Sequence, residues 1–161
     1  MRKWLIIDGY NLLYKLLPNP EAKNRSLEEQ RENLIKDVAE LGYLMAEKLT
    51  IVFDGRSSIK RERIEQKTIE IIFASPELTA DTIIIHLLKK YQNPQEVAVV
   101  SSDRIVVENA GSLGAEAMSA TFFLEWLASA RQNLTARLDR QSTRRVSFTL
   151  GDIFPATKQK K

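Results

Sequence analysis

The sequence predicts an α/β domain built on a mainly parallel sheet. Short apolar runs alternate with segments of helical periodicity along most of the chain, the signature of repeated strand–helix units. Three of those runs end on or just before an aspartate. The 161 residues suffice for one domain with a sizeable core.

Residues 3–7 (Lys-Trp-Leu-Ile-Ile) read as a buried first strand, followed by a short helix from Asn11 towards Leu17 that Pro18-Asn19-Pro20 breaks. Ser26-Leu27-Glu28-Glu29 is a capping box, and the apolar spacing of Leu27, Leu34, Val38, Leu41 and Met45 predicts a long helix to about Glu47. Residues 49–53 form the second strand, ending at Asp54-Gly55. A basic loop covers roughly 56–67, and residues 68–73 form the third strand. Thr79 caps a helix to about Tyr91. Residues 97–100 form the fourth strand, ending at Ser101-Ser102-Asp103, and a helix covers 104–111. A short fifth strand (115–118) and a helix over about 119–131 complete the body. The layout divides into a body, 1–131, and a basic tail, 132–161, whose one strand-like stretch is Val146-Ser147-Phe148.

Composition removes several function classes. There is no cysteine, which excludes disulfides, thiolate catalysis and cysteine zinc sites. The single histidine, His86, excludes multi-histidine metal centres. No apolar run approaches the roughly 20 residues of a membrane helix, and the run before Asp8 is too short for a signal-peptide core, so a cytoplasmic protein with no membrane partner is expected. The net charge of +3 is uneven: residues 131–161 carry +6, which leaves −3 on the rest. A mildly acidic body with a basic end suits a protein that approaches a polyanion, and a solvated end explains the charge equally well.

The carboxylates follow the strand ends. Asp8, Asp54 and Asp103 follow the first, second and fourth strands, so a parallel sheet places all three at its C-terminal edge, where open α/β sheets bind ligands. Asp81 falls in the first turn of the helix after the third strand. Any one of these, taken alone, is more often a helix cap or turn former than a ligand, with the two readings about even for Asp8. Together they concentrate like charge, which is tolerable when a hard divalent cation such as Mg²⁺ or Mn²⁺ neutralises it. Such a cation binds phosphate oxygens and activates water, which points to phosphodiester hydrolysis.

The order Asp8-Gly9-Tyr10-Asn11, Phe53-Asp54-Gly55, Thr79-Ala80-Asp81, Ser101-Ser102-Asp103-Arg104, Met118-Ser119-Ala120 resembles the YacP-like subgroup of NYN domains, a branch of the PIN-like nucleases, over about residues 3–130. The resemblance implies a three-layer PIN-like fold with strand order 3-2-1-4-5 and Mg²⁺- or Mn²⁺-supported endoribonuclease activity. It implies Asp8, Asp81 and Asp103 as metal ligands and Asn11 as the residue that orients ligands or the scissile phosphate. Asp54 and Ser101 are supporting groups, and the ribosome is the partner it suggests. One position departs from the pattern: the acidic residue common one helical turn after Asp81 is Ile85 here, and Thr82 replaces a serine. That leaves the number of bound metals open, with Glu77 as a compensating carboxylate or an exposed loop residue.

Arg56, Lys60, Arg61 and Arg63 are candidate contacts to the RNA backbone, as is Arg104. Tyr10 is either a base-stacking residue or packing; Trp4 and Trp126 read as hydrophobes, and His86 as structural. A non-catalytic RNA- or ribosome-binding module on the same fold is the competing reading. Haloacid-type phosphatase chemistry is disfavoured, because Tyr10 stands where its second aspartate would be. A dinucleotide fingerprint is disfavoured because Gly111-Ser-Leu-Gly-Ala follows a helix.

Overall fold

The computed structural model describes residues 1–16, 24–55, 58–64 and 67–146. The order of elements is β1 (Arg2–Asp8), α1 (Gly9–Leu16), α2 (Leu27–Leu41), β2 (Ala46–Asp54), β3 (Ser58–Ile64), β4 (Lys67–Ala74), α3 (Ala80–Lys90), β5 (Val97–Val100), α4 (Arg104–Leu113), β6 (Glu116–Met118) and α5 (Ala120–Val146). Contacts divide the chain into two units, Met1–Leu127 and Ala128–Lys161.

In the first unit the sheet order is β3-β4-β2-β1-β5-β6. The five strands β4-β2-β1-β5-β6 are mutually parallel, which is the expected order 3-2-1-4-5. The sixth, β3, is an addition at the edge. It pairs antiparallel with β4 over residues expected to form a loop. Its Lys-Arg-Glu-Arg content hides it in a hydrophobicity pattern, yet charged side chains are what edge strands carry to discourage further pairing. Pro18, Asn19, Pro20 and Arg56 lie outside the described residues.

Three helix ends differ from expectation. α2 stops at Leu41, where Gly42 opens a short 3-10 turn and β2 begins at Ala46, earlier than the apolar run suggests. α4 continues two residues beyond 111 to Leu113. α5 continues past 131 to Val146, so Val146 is helical, while Ser147 and Phe148 lie outside the described residues. Its extension lacks a marked apolar stripe, which is why periodicity alone misses it: residues 131–141 are all exposed. The Ser26 capping box forms as expected, with Glu29 N donating to Ser26 Oγ at 3.2 Å and Ser26 N donating to Glu29 Oε2 at 3.0 Å.

Alternation along the central strands makes two apolar faces. Trp4 and Ile6 of β1, Val52 of β2 and Val97 and Val99 of β5 pack with Ala80, Ile84 and Leu88 of α3 and Val106 and Ala110 of α4. The opposite face, with buried Leu5, Ile7, Leu49, Ile51 and Ile71, receives α1 and α2. The sheet is thus buried on both sides, as parallel sheets are. Trp4 is core, as expected: its Nε1 donates to Thr50 Oγ1 at 2.9 Å, which satisfies both buried polar groups.

One close approach fixes the start of α1. Gly9 follows β1 directly, and a Cβ there would overlap the Phe53 ring of β2. The Asp-Gly sequence is therefore a steric requirement at the strand end. Gly9→Ala should lower stability by about 1–3 kcal/mol through overpacking. Gly111→Ala, in α4 with no neighbour in reach of the added methyl, should raise it by about 0.5–1 kcal/mol through helix propensity. Urea unfolding midpoints with unchanged m-values check both, and a stabilised Gly9→Ala protein would refute the packing argument.

Candidate active site

β1 ends by carrying Asp8 into the interior. The residue is only 6 % exposed, and its carboxylate works in two directions. Oδ1 accepts from Asn11 N at 3.3 Å, closing the first turn of α1, and Oδ2 accepts from Ser101 Oγ at 3.1 Å, across from β5. Burial raises its pKa, the two hydrogen bonds oppose the rise, the negative charges of Asp81 and Asp54 add to it, and the net result is a pKa of about 6.

The turn after β5 is stitched to the same place. Ser101, 1 % exposed, also accepts from Asp103 N at 3.0 Å. Asp103 is the N-cap of α4, with Oδ1 accepting from Ile105 N at 2.8 Å and Val106 N at 3.4 Å. Asn11 Oδ1 accepts from Ser102 N at 2.8 Å, so the last residue of the Asp-Gly-Tyr-Asn turn holds the Ser-Ser-Asp turn in register with α1. Ser102 Oγ accepts from Ala120 N at 3.1 Å and ties in the start of α5. The sequence carries no signal of this role for Ser102 beyond its place between Ser101 and Asp103.

β2 and α3 supply the other two carboxylates. Asp54 Oδ1 accepts from Ala80 N at 2.8 Å and so caps α3 from the neighbouring strand, beside the helix's own cap, Thr79. Asp81, in the first turn of α3, has its pKa raised by burial and by the charges of Asp103 and Asp54. The four aspartates therefore act on one another electrostatically at the C-terminal edge of the parallel strands. Asp8, Asp54 and Asp103 are helix caps, one of the two roles weighed for each of them. The N-termini of α1, α3 and α4 lie at this edge and lend it partial positive charge, which favours carboxylates and phosphate oxygens.

The donor set is entirely hard oxygen, which fits Mg²⁺ or Mn²⁺ and no soft metal. Among the described residues no group of three acidic or histidine side chains is placed to hold a metal ion by itself. The arrangement suits a cation that keeps most of its water and takes one or two protein carboxylates, the habit of Mg²⁺.

The remaining candidates scatter. Glu77 is exposed in the turn before α3, and its charge is not among those acting on Asp8 or Asp81. Arg104 is exposed and paired with Glu108 at 2.7 Å along α4. Lys60, Arg61 and Arg63 lie on β3, where their backbones oppose Ile71, Glu70 and Thr68. The strand thus starts at the acidic edge and carries Arg63 roughly 15–20 Å away from it. Ile85 is half-buried in α3 and His86 is exposed, so the structural role expected of that histidine has no buried setting.

Sequence reasoning also missed an aromatic ladder beside the aspartates. Tyr14 stacks on Tyr10 (centroids 6.0 Å apart), Tyr10 meets Phe53 edge-on (5.2 Å), Phe53 stacks on Phe73 (5.6 Å), and the Arg31 guanidinium lies 5.3 Å from the Phe73 centroid. The i, i+4 spacing of Tyr10 and Tyr14 is the one part of it a sequence displays.

Residues 5–159 match the model of the YacP-like NYN domain. The Bacillus subtilis (strain 168) protein YacP is 28 % identical over 102 residues, covering 62 % of this chain and 59 % of that one, so the alignment spans about three fifths of the relative's length. A crystal structure of a single-substitution mutant of Rae1 (YacP) from Bacillus subtilis superposes with a TM-score of 0.71 at 25 % identity, covering 88 % of this chain and 84 % of the other. A second structure of Rae1 (YacP) shows the same fold at a TM-score of 0.67 and 23 % identity, covering 90 % and 84 %. With the family match running over nearly the whole chain and the fold and strand order in agreement, the protein belongs to the YacP-like NYN domain family of PIN-like nucleases.

Proposed function

We propose that the protein is a divalent-metal-dependent endoribonuclease that hydrolyses RNA phosphodiester bonds. One observation carries the reading: Asp8 is buried at a strand end with its carboxyl group pushed up to about pKa 6, partly by the charges of Asp81 and Asp54. Such a site is electrostatically incomplete until a cation joins it. The family, a branch of nucleases, supplies the reaction class.

Asp8, Asp81 and Asp103 are the residues we assign to the metal, Mg²⁺ or Mn²⁺, directly or through its water. Bound there, the ion would polarise the scissile phosphate and lower the pKa of an attacking water. Ser101 fixes the Asp8 carboxylate and the Asp103 backbone together. Asn11 holds the two catalytic turns in register. Asp54 braces α3, and so Asp81, from β2. Backbone contact by Arg104, the β3 cations Lys60, Arg61 and Arg63, and Arg56 is part of the proposal, as are a cytoplasmic site of action and a role in mRNA decay with the ribosome as partner. We further assign the body, 1–131, to chemistry and the basic tail, 132–161, to the partner.

Cleavage of single-stranded RNA with Mn²⁺ or Mg²⁺ tests this. Asp8→Asn and Asp103→Asn should each lower the rate by roughly a hundredfold or more, the equivalent of several kcal/mol of lost charge stabilisation. Equal cleavage by all three proteins would place the activity elsewhere. Tight RNA binding without cleavage of any substrate would instead favour the non-catalytic binding module.

The pH dependence has a definite sign. Asp8 holds its proton more tightly folded (about 6) than at its ordinary value of 3.8. The metal-free protein should therefore lose stability as pH rises from about 4 to 6 and level off above. Metal binding needs the ionised carboxylate, so the rise in Tm on adding Mn²⁺ should be larger above pH 6 than at pH 5. Asp8→Asn should flatten the metal-free slope. A wild-type slope of the opposite sign in thermal melts would contradict the assignment.

A further inference from the structure

We propose that Tyr14, stacked on Tyr10, is a platform for an unpaired nucleobase of the RNA, so that the protein selects single-stranded substrate through α1. The proposal deepens the nuclease reading and rests on it for the identity of the ligand. Tyr14 is 61 % exposed, yet its ring is not loose. It lies on Tyr10 with the two planes 24° apart, Tyr10 is braced edge-on by the buried Phe53, and Phe53 stacks on Phe73. The missing side chain of Gly9 is what lets Phe53 come so close to α1. The result is an aromatic surface anchored in the core and open to solvent at its outer end.

Its location argues for the occupant. Tyr10 follows Asp8 by two residues and Phe53 directly precedes Asp54, so the ladder flanks the acidic site. Tyr14 sits one helical turn, about 6 Å, further along α1. Lys15, the next residue, is also exposed and brings positive charge to the same helix. Aromatic rings next to positive charge are the means by which single-stranded nucleic acid is held without reading its sequence. A base within a duplex has both faces covered by its neighbours, so only an unstacked base can add to Tyr14.

The test uses the full chain without metal and a labelled short oligoadenylate, read by fluorescence anisotropy, beside a duplex RNA of equal length. Tyr14→Ala and Tyr14→Leu should weaken single-strand binding by roughly five- to a hundredfold, while Tyr14→Phe stays within about twofold of wild type. Duplex binding should be unchanged in all three. An oligoadenylate with one abasic position, moved along the strand, should lose affinity at one register in wild type and at none in Tyr14→Ala. Should Tyr14→Ala fail to fold, the Leu and Phe proteins alone separate an aromatic from an aliphatic requirement. The proposal is overturned if wild type does not bind oligoadenylate, if Tyr14→Leu binds like wild type, or if single strand and duplex weaken equally. Lost binding in Tyr14→Ala with no cleavage by wild type would keep the platform and reject the nuclease reading. Cleavage by wild type with an unchanged KM in Tyr14→Ala would do the reverse.

Discussion

The molecule is organised around a carboxylate it keeps out of water. Asp8 ends the central strand of a sheet covered on both faces, and its two oxygens are taken up by α1 and by Ser101. Burying such a group is costly unless its lone pairs are satisfied and its charge is balanced. The hydrogen bonds meet the first need. The positive ends of the nearby helices meet only part of the second, because Asp81 and Asp54 add charge of the same sign.

That constraint propagates outward. Ser101 must lie against Asp8 and simultaneously receive the Asp103 N–H, so the end of β5 and the start of α4 have one arrangement. Asn11 locks that arrangement to α1 through Ser102. On the other side Asp54 reaches from β2 to the first turn of α3 and fixes Asp81 in space. Three strand ends and three helix starts are held by side chains of only a few residues. Because Asp8, Asp54 and Ser101 stand at or just after strand ends, the register of the parallel sheet sets the geometry of the site.

Much of this was legible in the sequence, and the reasons differ by element. β1, β2, β4 and β5 are apolar runs because both their faces are buried, and the aspartates that follow β1, β2 and β5 show up without any knowledge of the fold. The Ser26 capping box is a local device and reads locally. β3 did not read, because an edge strand rich in Lys, Arg and Glu looks like a loop until its partner is known. Periodicity sets the end of α2 too late, because Met45 continues the helical spacing past Gly42. The Tyr14-to-Arg31 ladder crosses α1, β2, β4 and α2, and no spacing within one segment announces a contact made across four.

The coincidence of caps and candidate ligands has a physical basis. An aspartate that caps a helix commits an oxygen to backbone N–H groups, as Asp54 does with Oδ1 toward Ala80 and Asp103 does with Oδ1 toward Ile105. The second oxygen is then held at a defined angle by a bond that the fold requires anyway. A parallel α/β sheet places helix starts side by side at one edge, so the caps converge there without further cost in backbone strain. What the fold cannot supply is the countercharge, since helix ends carry only about half an elementary charge each. Burial, and after it the charges of neighbouring aspartates, raise the pKa of both Asp8 and Asp81. On the proposed reading a hard divalent cation would supply that countercharge, and the same cation would bring a phosphodiester to that edge.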